Sequence, residues 1–577
     1  MKKYIYGCLI AIISFALPSC SLDENPKSSF SEEDAFSNST LIYVNSVASL
    51  YTAIGSSIYG DADNCVHTLQ EFTSDESIIP GRQGDWVDGG KWQNMFMHNF
   101  ESSVDTYANI WNRLYKVIGL CNSSIDLLTA VKQTNPAAES YIYEVRALRA
   151  IYYYYAMDLF AQVPLVISSD ESVSDVSQSN RSEVFKFVTE ELADCIPHLS
   201  TDPSQNNGEY YGRVTKAVAY MYMAKCALNA PVYTIDATSP TSYKAFVGDD
   251  LSGECKASET LGAAVSERGK NISMKVDSTS RNAWETVIYC VNKIKSLGYS
   301  LEPKYADNFV VTNDNSTENI FTRPDDDKVY KIQDYNLIRS IHYNHAGAMG
   351  YSSWNGACAT VRQMRIMHYG EQDQDPRLSL NYYTGTDYTE DTGGKLVNDG
   401  ATSKDLEYLP LAVVLDFPAE ADAHDVKCAG ARFKKYEFDK SSSIIGDINN
   451  DLVIMRYGDA VLMKAEAEYR LGDKGEALID VNLIRDRAGA GEDKEITLDA
   501  ILNERAAELA WEGLRRQDQI RFCTFTQPTA DRYTGVKHNA SAGNYNNDTQ
   551  GYTMVFPIPY SIINLNKNMT QNPGYSK

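Results

Sequence analysis

The segment EVRALRAIYYYYAMDLFAQVPLV, residues 144–166, has the clearest structural pattern in the chain. Its apolar and aromatic side chains recur at spacings of three and four, which places five of them on one stripe of a helix: Val145, Leu148, Tyr152, Tyr155 and Leu159. Arg146 and Arg149 lie beside this stripe, and Pro164 requires the helix to end near Gln162. Because an unpaired buried charge is costly, the segment predicts neighbouring helices that bring carboxylates.

A pair of helices is predicted closer to the C-terminus. Residues 460–471 and 475–488 are joined by a short turn that contains Gly472 and Asp473, in a pattern typical of a tetratricopeptide unit. Gly472 can adopt the left-handed conformation that ends a helix, and Ala477 is small enough for the second helix to cross the first closely. The pattern therefore indicates a helical scaffold in this part of the chain.

One long helix is predicted over residues 498–522. It carries carboxylates at helical spacing: Glu504, Glu508 and Glu512. These are candidate partners for Arg146 and Arg149, because a buried guanidinium favours a bidentate carboxylate.

Helical periodicity also recurs in the first half of the chain, whereas the middle differs. Further helices are expected over residues 41–54, 181–199, 216–229 and 284–297, and around Trp111, whose ring we expect in the core. Residues 308–451 are rich in Gly, Asp, Asn and Tyr, which indicates loops and short strands. The expected fold class is mainly α: a tetratricopeptide-like helical scaffold with a loop-rich, partly β insertion.

The composition limits the classes of ligand. The 577 residues carry a formal net charge of −24, which argues against binding nucleic acid and is compatible with neutral ligands such as sugars. The 11 cysteines show no CxxC motif and no zinc-type spacing, so we expect most of them to be small buried side chains. His342 and His345 stand three apart in a glycine-containing loop, and neither a metal site nor a cofactor is predicted there.

The N-terminus has the pattern of a lipoprotein signal. Lys2 and Lys3 precede an apolar stretch at residues 5–17 that is too short to span a membrane. The sequence LPSC at residues 17–20 resembles a lipobox, so we expect cleavage before Cys20 and diacyl modification that anchors the mature chain. Secretory cleavage at another position is the alternative. No later stretch is expected to cross a membrane.

Two loops combine tryptophan with glycine and polar side chains. Residues 71–100 contain Trp86 and Trp92 among several glycines, and residues 351–356 read YSSWNG. An indole can pack on the C–H face of a sugar ring, while carboxylate, guanidinium and amide groups bond its hydroxyls. We expect the loops to converge on one face, with these candidate ligand contacts: Asp75, Arg82, Trp86, Trp92, Tyr351, Trp354 and Asn355. Each tryptophan could instead fix its loop to the core.

The order of these features resembles the SusD/RagB family of outer-membrane nutrient-binding lipoproteins. The features that carry the resemblance are the lipobox, the Arg146 to tyrosine run of the first helix, the tetratricopeptide-like pair, and the terminal sequences FPIP and QNPGY at residues 556–559 and 571–575. The resemblance implies a cell-surface lipoprotein of the outer membrane that binds oligo- or polysaccharide and delivers it to a SusC-like TonB-dependent transporter. It also implies that the loop at residues 71–100 contributes to glycan binding.

Three segments are expected: a signal peptide at 1–19, a lipidated tether at 20–31, and a single SusD-like domain at 32–577. Within that domain we expect a helical scaffold and a ligand subdomain with these bounds: 32–305 and 452–577 for the scaffold, and about 306–451 for the subdomain.

Two other functions stay open at this point. A tetratricopeptide-type adaptor would bind protein or peptide on the helix pair. A glycosidase would need two carboxylates on opposite sides of one bond, for which an acidic chain always offers candidates such as Asp75, Asp85 and Asp88. Because the sequence has no nucleophile motif, we do not expect an enzyme.

Overall fold

The structure is a computed structural model that describes residues 38–61, 63–171, 175–204, 208–249, 255–326, 328, 335–440, 448–527 and 546–576. The predicted signal peptide, the tether and Cys20 lie outside these described residues.

Helices account for most of the regular structure. In the first half they are α1 Ser39–Ser46, α2 Ala48–Tyr51, α3 Ile54–Ser57, α4 Val66–Phe72, α5 Lys91–Phe96, α6 Asp105–Val131, α7 Ala138–Phe160, α8 Arg181–Cys195, α9 Lys216–Tyr233, α10 Glu259–Lys270 and α11 Ala283–Ser296. In the second half they are α12 Tyr335–Ser340, α13 Tyr343–Met349, α14 Val361–Ile366, α15 Leu378–Asn381, α16 Ala423–Cys428, α17 Tyr457–Leu471, α18 Lys474–Ala488, α19 Leu498–Glu508, α20 Arg515–Arg521 and α21 Tyr560–Leu565.

Strands are short and form antiparallel pairs within the described ranges. The pairs are β1 Ser77–Ile78 with β7 Cys358–Ala359, β2 Val163–Pro164 with β3 Gln178–Ser179, β4 Ser273–Val276 with β5 Thr279–Asn282, β6 Asn319–Arg323 with β10 Leu452–Arg456, and β8 Tyr382–Tyr383 with β9 Arg432–Phe433. The β1–β7 pair matches Ser77 with Ala359, which joins the two tryptophan-bearing parts of the chain. The mainly α fold class predicted from the sequence is confirmed.

Helix α7 lies at the centre of the scaffold. All five residues of its predicted stripe are buried, and so is every other residue from 147 to 160. The tyrosine hydroxyls are bonded inside the core: Tyr152 lies 2.9 Å from the Ser57 hydroxyl, Tyr153 donates to the carbonyl of Val166 at 2.8 Å, and Tyr155 lies 2.9 Å from the Tyr222 hydroxyl. A helix that is apolar and aromatic on all sides can be buried on all sides once its few polar atoms have partners.

The partners of the α7 arginines differ from those expected. Arg146 and Arg149 both pair with Glu191 of α8, at 2.6 Å and 3.0 Å, rather than with the carboxylates of residues 504–512. The physical reason is proximity, since α8 packs along α7 and presents Glu191 between the two guanidinium groups. The prediction that α7 needs carboxylates from a neighbouring helix was correct, but its choice of helix was wrong.

The predicted long helix at residues 498–522 is two helices. Between α19 and α20 the backbone passes through left-handed conformations at Trp511, with φ of 66°, and at Gly513, with φ of 68°. The turn buries the Trp511 ring against Phe433, with ring centroids 5.0 Å apart and nearly perpendicular planes. Burial of this indole therefore outweighs continuation of the helix.

The carboxylates of α19 take part in a different buried network. Glu508 accepts from Arg456 at 2.6 Å and from Arg377 at 2.9 Å, and Arg377 also bonds Glu504 at 2.7 Å. Glu512 pairs with Arg456 at 2.8 Å. Burial by itself would raise the pKa of Glu508, but the surrounding guanidinium groups outweigh burial and lower it.

Two further predictions, one about the first helix and one about membrane-spanning segments, were wrong. The helix expected at residues 41–54 is interrupted, and α1, α2 and α3 take its place. Helix α6 is long and apolar enough to cross a membrane by length and composition, contrary to the expectation that no later stretch would be. Its face with Trp111, Leu114 and Ile118 is buried, as in the core helix of a globular protein.

The predicted helix pair is present as α17 and α18. Gly472 ends α17 in a left-handed conformation with φ of 100°, and Ala477 is fully buried. The cysteines among the described residues are buried, as expected. The assignment of the pair to a tetratricopeptide unit stays a prediction.

Candidate functional site

The two tryptophan-bearing loops meet at an open cleft of about 380 Å3, which we call the aromatic cleft. It is lined by six side chains: Asp85, Trp86, Asp88, Tyr343, Trp354 and Asn355. Trp354 is 44 % exposed, and the half-buried Trp86 ring lies beside it with centroids 6.2 Å apart. The cleft therefore offers aromatic surface to solvent, together with carboxylate and amide groups.

An irregular backbone forms the first wall. Gly81 donates to the carbonyl of Leu415 at 3.0 Å and accepts from Phe417 at 2.8 Å, which fixes the start of the loop to the segment before α16. The chain then takes left-handed conformations at Gln83, Trp86 and Asp88. Such conformations cost about 1–3 kcal/mol at a residue other than glycine, so they persist only where the surroundings hold them.

Trp86 is held from three sides. Its indole Nε1 donates to the carbonyl oxygen of Trp354 at 3.0 Å, and Gln93 donates to the carbonyl of Trp86 at 3.2 Å. The ring also contacts Trp92 edge to face, with centroids 6.3 Å apart. Trp86 is therefore a fixed part of the cleft wall.

Trp92 lies beneath the cleft instead of lining it. It is only 1 % exposed, its Nε1 donates to the Asp88 carboxylate at 2.7 Å, and its ring contacts Phe72 edge to face at 5.7 Å. Trp92 thus supports Trp86 and orients Asp88. For Trp92 the structure matches the alternative stated from the sequence, in which a tryptophan fixes its segment to the core.

The second wall is a short loop bonded to the end of α12. The backbone amides of Trp354, Asn355 and Gly356 donate to carbonyls of residues 338, 341 and 339 at 2.7, 3.0 and 2.7 Å. The Asn355 side chain donates to the carbonyl of Lys427 at 3.1 Å and accepts from Arg432 at 2.9 Å. Asn355 therefore forms the base of the cleft with most of its amide already bonded.

Arg82 joins the two walls from below. Its guanidinium is buried and donates to the carbonyls of Val426 at 2.6 Å, Ala429 at 3.1 Å and Gly356 at 3.2 Å. Burial and the nearby Arg432 lower the pKa of Arg82 to about 9. The structure places Arg82 under the cleft, where both terminal nitrogens of its guanidinium are bonded to the protein.

Asp75 and Tyr351 are not brought to the cleft. Asp75 is buried and accepts from Arg515 at 2.7 and 3.1 Å, because it directly precedes the core residues of β1. The Tyr351 ring is buried and stacks on Phe438 with centroids 4.7 Å apart. Of the predicted contacts, the structure brings Trp86, Trp354 and Asn355 together in the cleft.

Sequence reasoning missed Tyr343 and Lys427. Tyr343 lies in the first turn of α13, where its ring contacts His342 with centroids 4.0 Å apart. Lys427 pairs with Asp85 at 3.1 Å and lies 5.7 Å from the Tyr343 ring centroid. Tyr343 is one of 39 tyrosines, and no local motif distinguishes it from the others.

The histidines near the cleft are structural. Burial and Arg432 lower the pKa of His342 to about 3, and burial and Lys434 lower that of His345 to about 3, so both rings are neutral at pH 7. Within the described ranges, His368, Glu371 and Asp373 bring possible metal-ligand atoms within 4.8 Å of one another. His368 and Asp373 form an exposed pair at 2.9 Å, and none of the three residues lines the cleft.

Comparison with known proteins places the chain in a family. Residues 271–575 match the model of the SusD family. This chain belongs to the SusD family. A second family model, described as starch-binding associating with outer membrane, matches residues 22–228 of this SusD-family chain. The resemblance stated from the sequence is confirmed.

Several relatives of this SusD-family member are known. It is 26 % identical over 466 residues to the starch-binding protein SusD of Bacteroides thetaiotaomicron, covering 75 % of this chain and 72 % of that protein. Surface glycan-binding protein A from Bacteroides thetaiotaomicron, solved in complex with laminarihexaose, aligns over 92 % of this chain and 98 % of its own with 19 % identity and a TM-score of 0.62. A laminarin binding SusD-like protein aligns over 93 % and 99 % with 20 % identity and a TM-score of 0.61. At these identities the two structures show a shared fold.

Proposed function

We propose that this SusD-family chain is a cell-surface lipoprotein that binds a neutral oligo- or polysaccharide in the aromatic cleft. The observation that carries the proposal is the exposed Trp354 ring beside Trp86, with centroids 6.2 Å apart in an open cleft. The C–H face of a sugar ring packs on an indole, and aromatic packing of this kind is worth about 0.5–1.5 kcal/mol beyond area burial.

The polar groups of the cleft suit sugar hydroxyls. Asp85 is largely exposed, and the Asp88 carboxylate receives one bond from Trp92 and has a second oxygen for other donors. Carboxylates accept hydrogen bonds from hydroxyls, but they repel uronate or sulfate groups. These groups, together with the net charge of −24, favour a neutral glycan.

The cleft is organised before a ligand arrives. Left-handed residues, the backbone bonds to residues 338–341 and the buried Arg82 hold both walls in place. A site that is already ordered loses less conformational entropy when a ligand binds, so more of the interaction energy contributes to affinity. This rigidity favours a binding surface for a stiff ligand such as a glycan chain.

The relatives support the class of ligand. One is described as starch-binding and another was solved with laminarihexaose, so glucans are the first ligands to test. Binding without catalysis is favoured because these relatives are described as binding proteins. A glycosidase would need one acid and one base directed at the same bond.

We propose the outer face of the outer membrane as the location and a SusC-like TonB-dependent transporter as the recipient of the glycan. The support is the LPSC sequence before Cys20 and the family description, which mentions association with the outer membrane. We expect Cys20→Ala to release the protein from membranes. Sedimentation of that variant with the outer membrane, still accessible to protease on whole cells, would contradict the anchor.

The function is tested by isothermal titration calorimetry of the chain from residue 21 onward. We expect binding of at least one neutral hexasaccharide among maltohexaose, laminarihexaose and xylohexaose, and no binding of hexagalacturonate under the same conditions. Binding of the hexagalacturonate alone would contradict the proposed ligand class. Neutral binding that persists unchanged when Trp354 and Trp86 are both replaced by alanine would place the site elsewhere.

A further inference from the structure

A glycine lies directly behind the Trp86 ring. A β-carbon added to Gly356 would lie 2.5 Å from Cζ2 of Trp86 and 3.0 Å from the carbonyl oxygen of Arg339, both too close for van der Waals contact. The backbone cannot withdraw, because the Gly356 amide donates to that same carbonyl at 2.7 Å and its own carbonyl accepts from Arg82. A methyl group at position 356 must therefore displace the indole.

A second glycine lies against Tyr343. A β-carbon at Gly400 would lie 2.8 Å from Cε2 and 2.9 Å from Cζ of the Tyr343 ring, and Gly400 has φ of 69°, a conformation that favours glycine. The ring is confined on another side by His342, with ring centroids 4.0 Å apart. Gly400 thus occupies the space next to the third aromatic side chain of the cleft.

The loop that carries Gly400 is itself fixed. The buried Asp399 carboxylate accepts from the amides of Ala401 at 3.0 Å, Thr402 at 2.8 Å and Ser403 at 3.1 Å, and it lies 2.9 Å from Nδ1 of His424. Asn398 accepts from the Asn344 side chain at 2.9 Å, which ties the loop to α13. The loop has little freedom to absorb an added methyl group, so Tyr343 would have to move.

We propose that Gly356 and Gly400 are positioning residues. They determine where the Trp86 and Tyr343 rings lie, and through these rings the width of the aromatic cleft. The part of this inference that concerns affinity rests on the proposed glycan-binding function. Trp92 contacts Trp86 on the core side and blocks movement of the indole in that direction. An indole displaced by residue 356 therefore moves relative to Trp354, and the stacking surface changes. Glycan selection would then depend on two residues that need not contact the sugar.

The chain offers matched controls for both substitutions. Gly347 also has an ordinary φ, and a β-carbon there would meet nothing within 4 Å, so Gly347→Ala controls for Gly356→Ala. Gly394 has φ of 82° and open space around it, so Gly394→Ala carries the backbone strain of Gly400→Ala without the contact to Tyr343. Within each pair, the added methyl group contacts an aromatic ring in the test variant and contacts nothing in the control.

The experiment combines calorimetry with maltohexaose and laminarihexaose and the indole resonance of Trp86 in a 15N-tryptophan-labelled chain. We expect Gly356→Ala and Gly400→Ala each to weaken binding of the hexasaccharide by about two- to tenfold, and both controls to bind as the unmodified protein does. Gly356→Ala should also shift the Trp86 indole resonance, because the bond from Nε1 to the Trp354 carbonyl changes. Adding Gly356→Ala to Trp86→Ala, or Gly400→Ala to Tyr343→Ala, should cause no further loss.

Two results would overturn the positioning role. One is unmodified affinity in Gly356→Ala and Gly400→Ala, with an unmoved indole resonance in Gly356→Ala, while Trp86→Ala and Tyr343→Ala bind more weakly. The other is a further loss of affinity when each glycine is replaced in a variant that lacks its ring. A shifted indole resonance with unchanged affinity in every ring variant would support the positioning role of Gly356 and overturn the assignment of the cleft to glycan.

Discussion

Buried guanidinium groups are satisfied in different ways in the helical scaffold and beneath the aromatic cleft. In the scaffold, Arg456 bonds the carboxylates of Glu508 and Glu512, and Arg521 bonds the carboxylate of Glu466. Beneath the cleft, Arg82 donates to three backbone carbonyls, and Arg432 bonds backbone carbonyls and the Asn355 amide.

The difference shows what each region requires of its sequence. Helices satisfy most of their own backbone groups and leave only end carbonyls, such as that of Glu508 for Arg456, so a buried arginine between them bonds mainly carboxylates. Loops leave carbonyls unpaired, and a guanidinium with five donors can bond several of them at once. Ion pairs therefore connect the elements of the scaffold, whereas hydrogen bonds from guanidinium groups to backbone carbonyls hold the loops of the cleft.

Breaking the buried ion-pair network at Glu508 should reduce the stability of the protein most. Glu508→Ala removes the buried carboxylate that Arg377, Arg456 and Arg487 share, which should lower the free energy of unfolding by about 3–5 kcal/mol. Urea denaturation at pH 7 measures this change. The exposed Glu476 is the control, and its alanine variant should stay within about 0.5 kcal/mol. Equal effects in the two variants would contradict the network.

Core packing around α7 should have a comparable or smaller effect. Leu148→Ala removes a fully buried side chain and should cost about 2–5 kcal/mol, whereas Leu483→Ala removes a half-exposed one from α18 and should cost far less. The same denaturation experiment compares them. A loss below about 0.5 kcal/mol for Leu148→Ala would show that α7 is not packed as described.

Low pH should destabilise the scaffold, because its buried arginines depend on ionised carboxylates. Burial would raise the pKa of Glu466, but Arg521 and Arg470 outweigh burial and lower it from 4.5 to about 2. A lowered pKa in the folded state contributes stability above pH 4.5 that is lost as pH falls toward 2, so we expect about 2 kcal/mol to be lost from this group by pH 3. Glu466→Gln, which cannot titrate, should show a shallower loss between pH 4.5 and pH 3 in urea denaturation. An equally steep loss in both proteins would assign acid sensitivity to other groups.

Removal of the guanidinium beneath the cleft should cost less stability and also affect binding. Arg82→Met keeps the stem but leaves the carbonyls of Val426, Ala429 and Gly356 without this donor, at about 1–3 kcal/mol. Because Arg82 joins both walls, affinity for a neutral hexasaccharide should also fall. Val87→Ala, on the same loop at an exposed position, is the control and should change neither quantity. Unmodified affinity in a folded Arg82→Met variant would show that the walls hold their positions without it.

The scaffold was largely predictable because helical burial is periodic. The stripe from Val145 to Leu159 was placed correctly, as were Trp111 in the core and the turn at Gly472. The exceptions arise where one local preference outweighs periodicity. Trp511 needs a buried position for its indole, so the predicted long helix breaks into α19 and α20.

The cleft was less predictable because the type of a residue in an irregular segment does not indicate whether its side chain faces solvent or the core. Trp86 and Trp92 are six residues apart in a segment predicted as one loop, yet Trp86 lines the cleft whereas Trp92, in α5, lies in the core beneath it. Asp75 and Arg82 have the chemistry of a sugar site, but the fold uses both in buried bonds. Tyr343 reaches the cleft through the packing of α13 against a loop more than fifty residues later, a contact that no local pattern encodes.

The proposed function requires the aromatic rings of a preorganised pair of loops to bind a neutral glycan. The most direct test is calorimetric titration of maltohexaose and laminarihexaose into the Trp86→Ala and Trp354→Ala double variant, with Tyr560→Ala as a control for loss of an exposed ring elsewhere. We predict binding weaker by roughly ten- to a hundredfold in the double variant, with a melting temperature close to that of the unmodified protein and full affinity in the control. Full affinity in a folded double variant would contradict binding in the aromatic cleft and would place the glycan at another surface of this SusD-family protein.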